Sequence, residues 1–179
     1  MTRGELVVLR LGHRPGRDDR MTTHVGLTAR ALGADRFVLA AKDASPLERI
    51  DEVTDRFGGP FRTTQIDHFR QFLSQWSGSV VHLTMYGLPI QDHEASIPRD
   101  DDMLIIVGAE KVPFEIYERA DWNVAVTNQP HSEVASLAIC LDRLTDGGGL
   151  ERTFTDGTHR VIPQETGKQV INTDQTSFK

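Results

Sequence analysis

A cluster of cationic side chains near the amino terminus is the first feature that could do chemistry. It contains, in order, Arg10, His13, Arg14, Arg17 and Arg20. Guanidinium groups bind phosphates through paired hydrogen bonds, so the cluster predicts a site that grips a few phosphates of a nucleic acid. Ion pairing with Asp18 and Asp19 in a solvated loop explains the same composition equally well, and both interpretations are open. The whole chain, with 26 acidic and 20 basic residues and a net charge of −6, is not suited to coating nucleic acid nonspecifically.

Two later segments have the composition of ligand-binding loops. Gly108–Pro113 has a glycine that lets a ligand approach the backbone and ends in a proline suited to a helix start. Thr127–Glu133 places polar residues before the next helix, whose amino-terminal N–H groups are free to bind a ligand. Together they predict a pocket of backbone donors and acceptors. Each loop taken alone favours an ordinary connection between a strand and a helix.

Several common chemistries lack their usual motif. No strand is followed by Gly-x-Gly-x-x-Gly, and Gly167-Lys168 lacks the upstream glycine of a P-loop. The histidines have no spacing typical of a metal site, and no serine stands in a Gly-x-Ser-x-Gly elbow. We therefore expect no metal, and neither a nucleotide hydrolase nor a serine hydrolase.

Strand and helix patterns alternate along most of the chain. The predicted strands are 5–11, 36–40, 61–65, 79–83, 103–107 and 122–126. The predicted helices are 22–32 (capped by Thr22 or Thr23), 45–57 (capped by Ser45), 67–76, 113–120 and 132–144. This order predicts an α/β fold with a mostly parallel sheet flanked by helices, in which the very apolar strand 103–107 is central. We expect one domain over residues 1–150 and a carboxyl-terminal extension over 151–179, with ligands at the carboxyl ends of the strands.

Composition narrows the cellular setting. The chain has 179 residues, of which 38% are hydrophobic, and a single cysteine, Cys140, that cannot form an intrachain disulfide. No stretch approaches the roughly 18 apolar residues of a membrane span, and the first residues lack the pattern of a signal peptide. We expect a cytoplasmic protein without a membrane partner.

Five segments resemble one known family, the archaeal tRNA (cytidine-56) 2'-O-methyltransferases. They are LRLGHRPGRDDRMTTHVGLTARALGA (Leu9–Ala34), HLTMYG (His82–Gly87), VGAEKVP (Val107–Pro113), NVAVTNQPHSEVASLA (Asn123–Ala138) and IPQETGK (Ile162–Lys168). They occur in the same order and spacing as in the family, and the resemblance covers roughly residues 5–168.

The resemblance implies a SPOUT-type fold, in which a carboxyl-terminal trefoil knot forms the site for S-adenosylmethionine. It implies methylation of the ribose 2'-oxygen of cytidine 56 in the T-loop of tRNA, by a homodimer in which each pocket is completed by the partner. The loops that match the family's cofactor site contain Leu83, Gly108, Ala109, Glu110, Lys111, Val112, Val126, Thr127, Asn128, Gln129, Pro130, His131, Ser132 and Glu133.

The same family keeps a catalytic polar residue where Arg20 stands here. Because a guanidinium stays protonated, we expect Arg20 to clamp a phosphate and to hydrogen-bond the developing 2'-oxyanion. His24 is a candidate proton acceptor, with a helix-start histidine bonded to the backbone as the alternative. Arg10, His13, Arg14 and Arg17 are expected to bind tRNA phosphates.

Two other functions remain open at this stage. One is a SPOUT methyltransferase that acts on another ribose or on a base, for which the only carboxylates in the first loop are Asp18 and Asp19. The other is an RNA-binding relative without catalysis, which would not bind S-adenosylmethionine.

Overall fold

Six parallel strands form the central sheet of the computed structural model, which describes residues 4–109 and 111–173. They are β1 (Leu6–Leu11), β2 (Arg36–Leu39), β3 (Arg62–Gln65), β4 (Ser79–Pro89), β5 (Met103–Gly108) and β6 (Trp122–Ala125). Their order in the sheet is β3-β2-β1-β5-β4-β6, and every neighbouring pair is parallel. The prediction of a parallel α/β sheet is confirmed, and the apolar strand 103–107 lies between β1 and β4 as predicted.

Helices cover both faces of the sheet. They are α1 (Asp19–Ala31), α2 (Ser45–Phe57), α3 (Phe69–Gln75), α4 (Ile90–His93), α5 (Phe114–Arg119) and α6 (Glu133–Leu144). One core contains residues of α1, α2 and α6, and the other contains Leu73 of α3 and Ile116 of α5. Alternate residues of β1 serve the two cores, because successive side chains of a strand point to opposite faces.

Two helix starts differ from the prediction. Helix α1 begins at Asp19, after Asp18, so Thr22 and Thr23 lie inside its first turns instead of capping it. The Thr22 hydroxyl bonds to His13, and the Thr23 hydroxyl donates to the carbonyl of Asp19. Helix α2 already includes Ser45, whose N–H donates to the carboxylate of Asp43. In both cases an upstream aspartate stands near the start. The Thr22 hydroxyl bonds to His13 and the Thr23 hydroxyl bonds to the helix backbone, so neither caps α1.

Strand β4 is longer than predicted. It continues to Pro89, and its register against β6 shifts between Leu83 and Leu88. Gly87 and Pro89 look like breakers in the sequence, but the register shift lets the strand pass through them. Segment 84–87 therefore bulges from the sheet beside the ends of β5 and β6.

Helix α6 returns from the edge of the sheet toward its centre. After β6, at the sheet edge, the chain enters α6, which packs against α1 and β5. Ser132 caps α6, because its hydroxyl accepts a hydrogen bond from the N–H of Val134 at 3.2 Å. The trefoil knot stays a prediction.

A small antiparallel hairpin, missed in the sequence, follows a 3-10 helix at Gly148–Glu151. It pairs β7 (His159–Ile162) with β8 (Gln169–Asn172), and β7 contacts α2. The division into a domain over 1–150 and an extension over 151–179 stays a prediction. Within the described residues, no helix is long and apolar enough to cross a lipid bilayer.

Candidate active site

A cavity lies where the carboxyl ends of β4, β5 and β6 meet. Its volume is about 280 Å³. Of the residues predicted to bind cofactor, those that line it are Leu83, Gly108, Ala109, Val112, Val126, His131 and Glu133. Because β5, β4 and β6 are parallel neighbours, their carboxyl ends share one edge, and three loops far apart in sequence meet there.

Other predicted residues of these loops shape the cavity without lining it. Asn128 donates from its amide to the carbonyls of Met85 and Gly87, at 2.7 and 3.0 Å, and so ties the loop after β6 to the bulge of β4. The hydroxyl of Thr127 accepts from the N–H of Gln129. The remaining members outside the lining are Lys111, Pro130 and Ser132. Glu110 lies outside the described residues.

The cavity wall contains polar residues that the sequence analysis missed. His82 is buried, and its Nδ1 lies 2.8 Å from Oδ1 of Asn123. The Asn123 amide donates to the carbonyl of Tyr117, so Oδ1 is the atom that faces His82 and Nδ1 is the donor. Burial lowers the pKa of His82, which favours the neutral ring. The available signal was a histidine inside the apolar run Val80–Leu83, whereas its pairing with Asn123 on the adjacent strand is visible only in the structure.

The loop that precedes α1 is held by buried polar contacts. His13 bonds through Nδ1 to the hydroxyl of Thr22 at 2.8 Å and through Nε2 to Asp43 at 2.9 Å. The hydrogen bond between His13 and Asp43 lowers the pKa of Asp43. Donor atoms of His13, Asp19 and Asp43 lie within 4.8 Å of one another, but both ring nitrogens of His13 are already hydrogen-bonded. We interpret these three residues as a hydrogen-bonded cluster that stabilises the loop before α1, not as a metal site.

Two residues expected to bind RNA are buried, and their assignment is corrected. Arg10 is only 1% exposed and donates to the carbonyl of Gly108 and to Glu133. His13 is enclosed by its bonds to Thr22 and Asp43. A phosphate cannot reach either side chain, so the expectation that they bind tRNA is wrong. An arginine inside the apolar run of β1 was the signal that could have shown this for Arg10.

The other cationic residues differ in how much of their side chains solvent reaches. Arg14 makes a bidentate pair with Asp18, and this hydrogen bonding lowers the pKa of Asp18. Arg17 and Arg20 are exposed. Within the described residues, Arg20 makes no hydrogen bond or ion pair. His24 is exposed four residues later on α1, so it shares a helix face with Arg20. Within segments 4–109 and 111–173, the His24 ring makes no hydrogen bond to the helix backbone, which was the alternative assignment.

The sequence matches the profile of the family described as tRNA ribose 2'-O-methyltransferase, aTrm56, over residues 57–171. A relative from Natronomonas pharaonis, named tRNA (cytidine(56)-2'-O)-methyltransferase, is 58% identical over 174 residues, which cover 96% of this chain and 97% of the relative. The chain belongs to the aTrm56 family. The resemblance drawn from the sequence segments is confirmed.

Solved structures more distant than the aTrm56 family share the fold. An RNA 2'-O ribose methyltransferase aligns with a TM-score of 0.62 at 18% identity, over 82% of this chain and 58% of that protein. The SpoU methyltransferase AviRb from Streptomyces viridochromogenes, in complex with the cofactor AdoMet, aligns with a TM-score of 0.57 at 14% identity, over 82% of this chain and 58% of AviRb. The SPOUT-type fold class is thereby confirmed.

Proposed function

We propose that this aTrm56 family member transfers the methyl group of S-adenosylmethionine to the ribose 2'-oxygen of cytidine 56 in tRNA. The observation that carries the proposal is the cavity formed by the three family-matching loops in a chain 58% identical to a relative of that name. We also propose that the reaction takes place in the cytoplasm. Methylation of another ribose or base remains the alternative.

The residues that line the cavity have the chemical groups that S-adenosylmethionine needs for binding. Leu83, Val112, Val124 and Val126 supply apolar walls for a heteroaromatic ring, and Glu133 supplies a carboxylate for a cationic group. A Cβ atom at Gly108 would overlap the Cγ2 methyl of Val112, so the glycine keeps this wall in place. S-adenosylmethionine would supply an electrophilic methyl group, and the chain must bind it, hold the ribose and exclude water.

Arg20 and His24 are proposed to act on the ribose. The Arg20 guanidinium would hold the neighbouring phosphate and donate a hydrogen bond to the 2'-oxygen as its negative charge develops. It would not remove the proton, because arginine stays protonated in proteins. His24, on the same exposed face of α1, would accept that proton.

The proposed activity is tested with an unmodified tRNA transcript and methyl-labelled S-adenosylmethionine, followed by mapping of the labelled nucleotide. Label is expected at position 56 and nowhere else. A transcript that carries 2'-deoxycytidine at that position is the control, since it lacks only the accepting oxygen. Label in the deoxycytidine transcript, or at another nucleotide, would contradict the proposal. If the protein does not bind S-adenosylmethionine at all, the result would favour the alternative of an RNA-binding relative without catalysis.

Replacing Gly108 with alanine is expected to weaken cofactor binding by about tenfold or more, because the new methyl group displaces Val112 into the cavity. Isothermal titration calorimetry with S-adenosylmethionine measures the change. Gly148→Ala is the matched control, because a Cβ there meets nothing within 4 Å. Wild-type affinity in Gly108→Ala would remove this loop from the proposed site.

Arg20 is expected to contribute more than Arg14 to tRNA binding, because the Arg14 guanidinium is already held by Asp18, whereas Arg20 makes no hydrogen bond or ion pair within the described residues. Arg20→Gln should reduce the slope of log Kd against log salt by about one, as for the loss of one phosphate contact. Arg14→Gln should reduce it less. Arg62→Gln, on an exposed side chain at the opposite end of the sheet, is the control. Equal slopes in all of these proteins would show that the arginine cluster does not bind phosphates and is only a solvated loop.

A further inference from the structure

Arg10 and Glu133 form a partly buried ion pair beside the cavity. Arg10 lies near the end of β1 with 1% of its surface exposed. Its Nη1 and Nη2 donate to Oε1 of Glu133 at 3.3 and 3.4 Å, and Nη1 also donates to the carbonyl of Gly108 at 3.1 Å. One guanidinium therefore joins the start of α6 to the last residue of β5.

The second carboxylate oxygen of Glu133 is left for a ligand. Glu133 lines the cavity, and its side chain is 29% exposed. Both bonds from Arg10 reach Oε1, and Oε2 has no hydrogen-bond partner in segments 4–109 and 111–173. A carboxylate oxygen in this position favours a cationic donor, because a charge-assisted hydrogen bond is stronger than one to water or to a neutral group.

We infer that Oε2 of Glu133 binds the α-ammonium group of the methionyl part of S-adenosylmethionine, with Arg10 as the positioning residue that orients the carboxylate. The inference rests on the proposed function and assigns a role within the same site. The cofactor has two cationic groups, an ammonium and a sulfonium. Only the ammonium has N–H donors for a carboxylate oxygen, and this decides between them.

The methionyl carboxylate does not compete for Arg10. With 1% of its surface exposed, the guanidinium is out of reach of a ligand in the cavity. The positive charge of Arg10 is therefore neutralised from within the protein, and Glu133 is the charged group of this pair that the cavity presents.

The test compares three ligands by isothermal titration calorimetry. S-adenosylmethionine has both cationic groups, S-adenosylhomocysteine keeps the ammonium but lacks the sulfonium, and 5'-methylthioadenosine lacks the whole amino-acid part. Glu133→Gln is expected to weaken the first two by about tenfold or more and to leave the third within about twofold. Arg10→Lys is expected to give a smaller loss with the same selectivity, because an ammonium cannot hold Oε1 and the Gly108 carbonyl in the same planar geometry.

A double variant separates binding from stability. Glu133→Gln alone leaves the Arg10 charge buried without its partner, which lowers stability. Arg10→Met with Glu133→Gln removes both charges and should raise the melting temperature above that of Glu133→Gln, while the selective loss of the two amino-acid-bearing ligands persists. Wild-type affinity in the double variant would overturn the inference.

Other results of the ligand titrations would each contradict a different part of the proposal. A loss for S-adenosylmethionine alone would place Glu133 beside the sulfonium and overturn the ammonium assignment. Equal losses for all three ligands would mean that Glu133 acts only on the shape of the cavity. If the wild-type protein binds none of the three, the proposed function fails first; if it binds them and Glu133→Gln changes nothing, only this inference fails.

Discussion

Arg20→Lys is expected to lower the single-turnover methylation rate by about 100-fold or more while changing the Kd for tRNA by less than about threefold. Lysine keeps the positive charge that attracts a phosphate. It loses the planar fork that can hold the phosphate and the 2'-oxygen at once. The exposed position of Arg20 in the first turn of α1, with no partner in the described chain, leaves the fork available for RNA.

The two readouts separate catalysis from binding. The rate is measured at saturating cofactor and tRNA, and the Kd is measured with S-adenosylhomocysteine present so that no turnover occurs. Arg17→Lys is the matched control, because it makes the same change at an exposed arginine three residues earlier, in the loop before α1. Equal losses of rate and affinity in Arg20→Lys would show that Arg20 only binds, and His24 would become the leading candidate for the chemistry.

The fold was largely predictable because its signals are local and repeat along the chain. Alternating strand and helix patterns predict a parallel sheet, and the run Met103–Val107 has no polar residue to face solvent on either side. Parallel strands place all their carboxyl ends on one edge. The meeting of the loops after β4, β5 and β6 at one cavity follows from that geometry without knowledge of any side-chain contact.

Pairings across the fold could not be predicted in the same way. Arg10 and Glu133 are separated by 123 positions, and nothing near either residue identifies its partner. His13 looks like a member of a basic cluster in the sequence, but its contacts with Thr22 and Asp43 enclose it. The length of β4 was missed because Gly87 and Pro89 mark a break locally, whereas pairing with β6 carries the strand past them.

Arg20 does not line the cavity at the ends of β4, β5 and β6. Within the described chain, residues 12–24 supply none of its lining. The resemblance to SPOUT enzymes implies that a partner completes each pocket. The α6 helix offers a surface for such a partner, because Ile139 is 43% exposed while Leu137 and Leu141 serve the core. We therefore propose a homodimer in which each Arg20 acts at the cavity of the other chain.

Mixing two variants tests this arrangement, at a cofactor concentration near the wild-type Kd, where Gly108→Ala has little activity alone. Arg20→Ala retains an intact cavity, and Gly108→Ala retains an intact arginine. In a two-fold dimer, each mixed dimer has one site with both parts intact and one with neither. An equal mixture that exchanges freely should therefore regain about a quarter of wild-type activity, since half of the dimers are mixed and half of their sites are complete.

The double variant Arg20→Ala/Gly108→Ala mixed with either single variant is the control, because none of its mixed dimers contains a complete site. Native mass spectrometry measures the fraction of mixed dimers. Mixed dimers without activity would place Arg20 at the cavity of its own chain, and a fully active monomer by light scattering would exclude the shared site altogether.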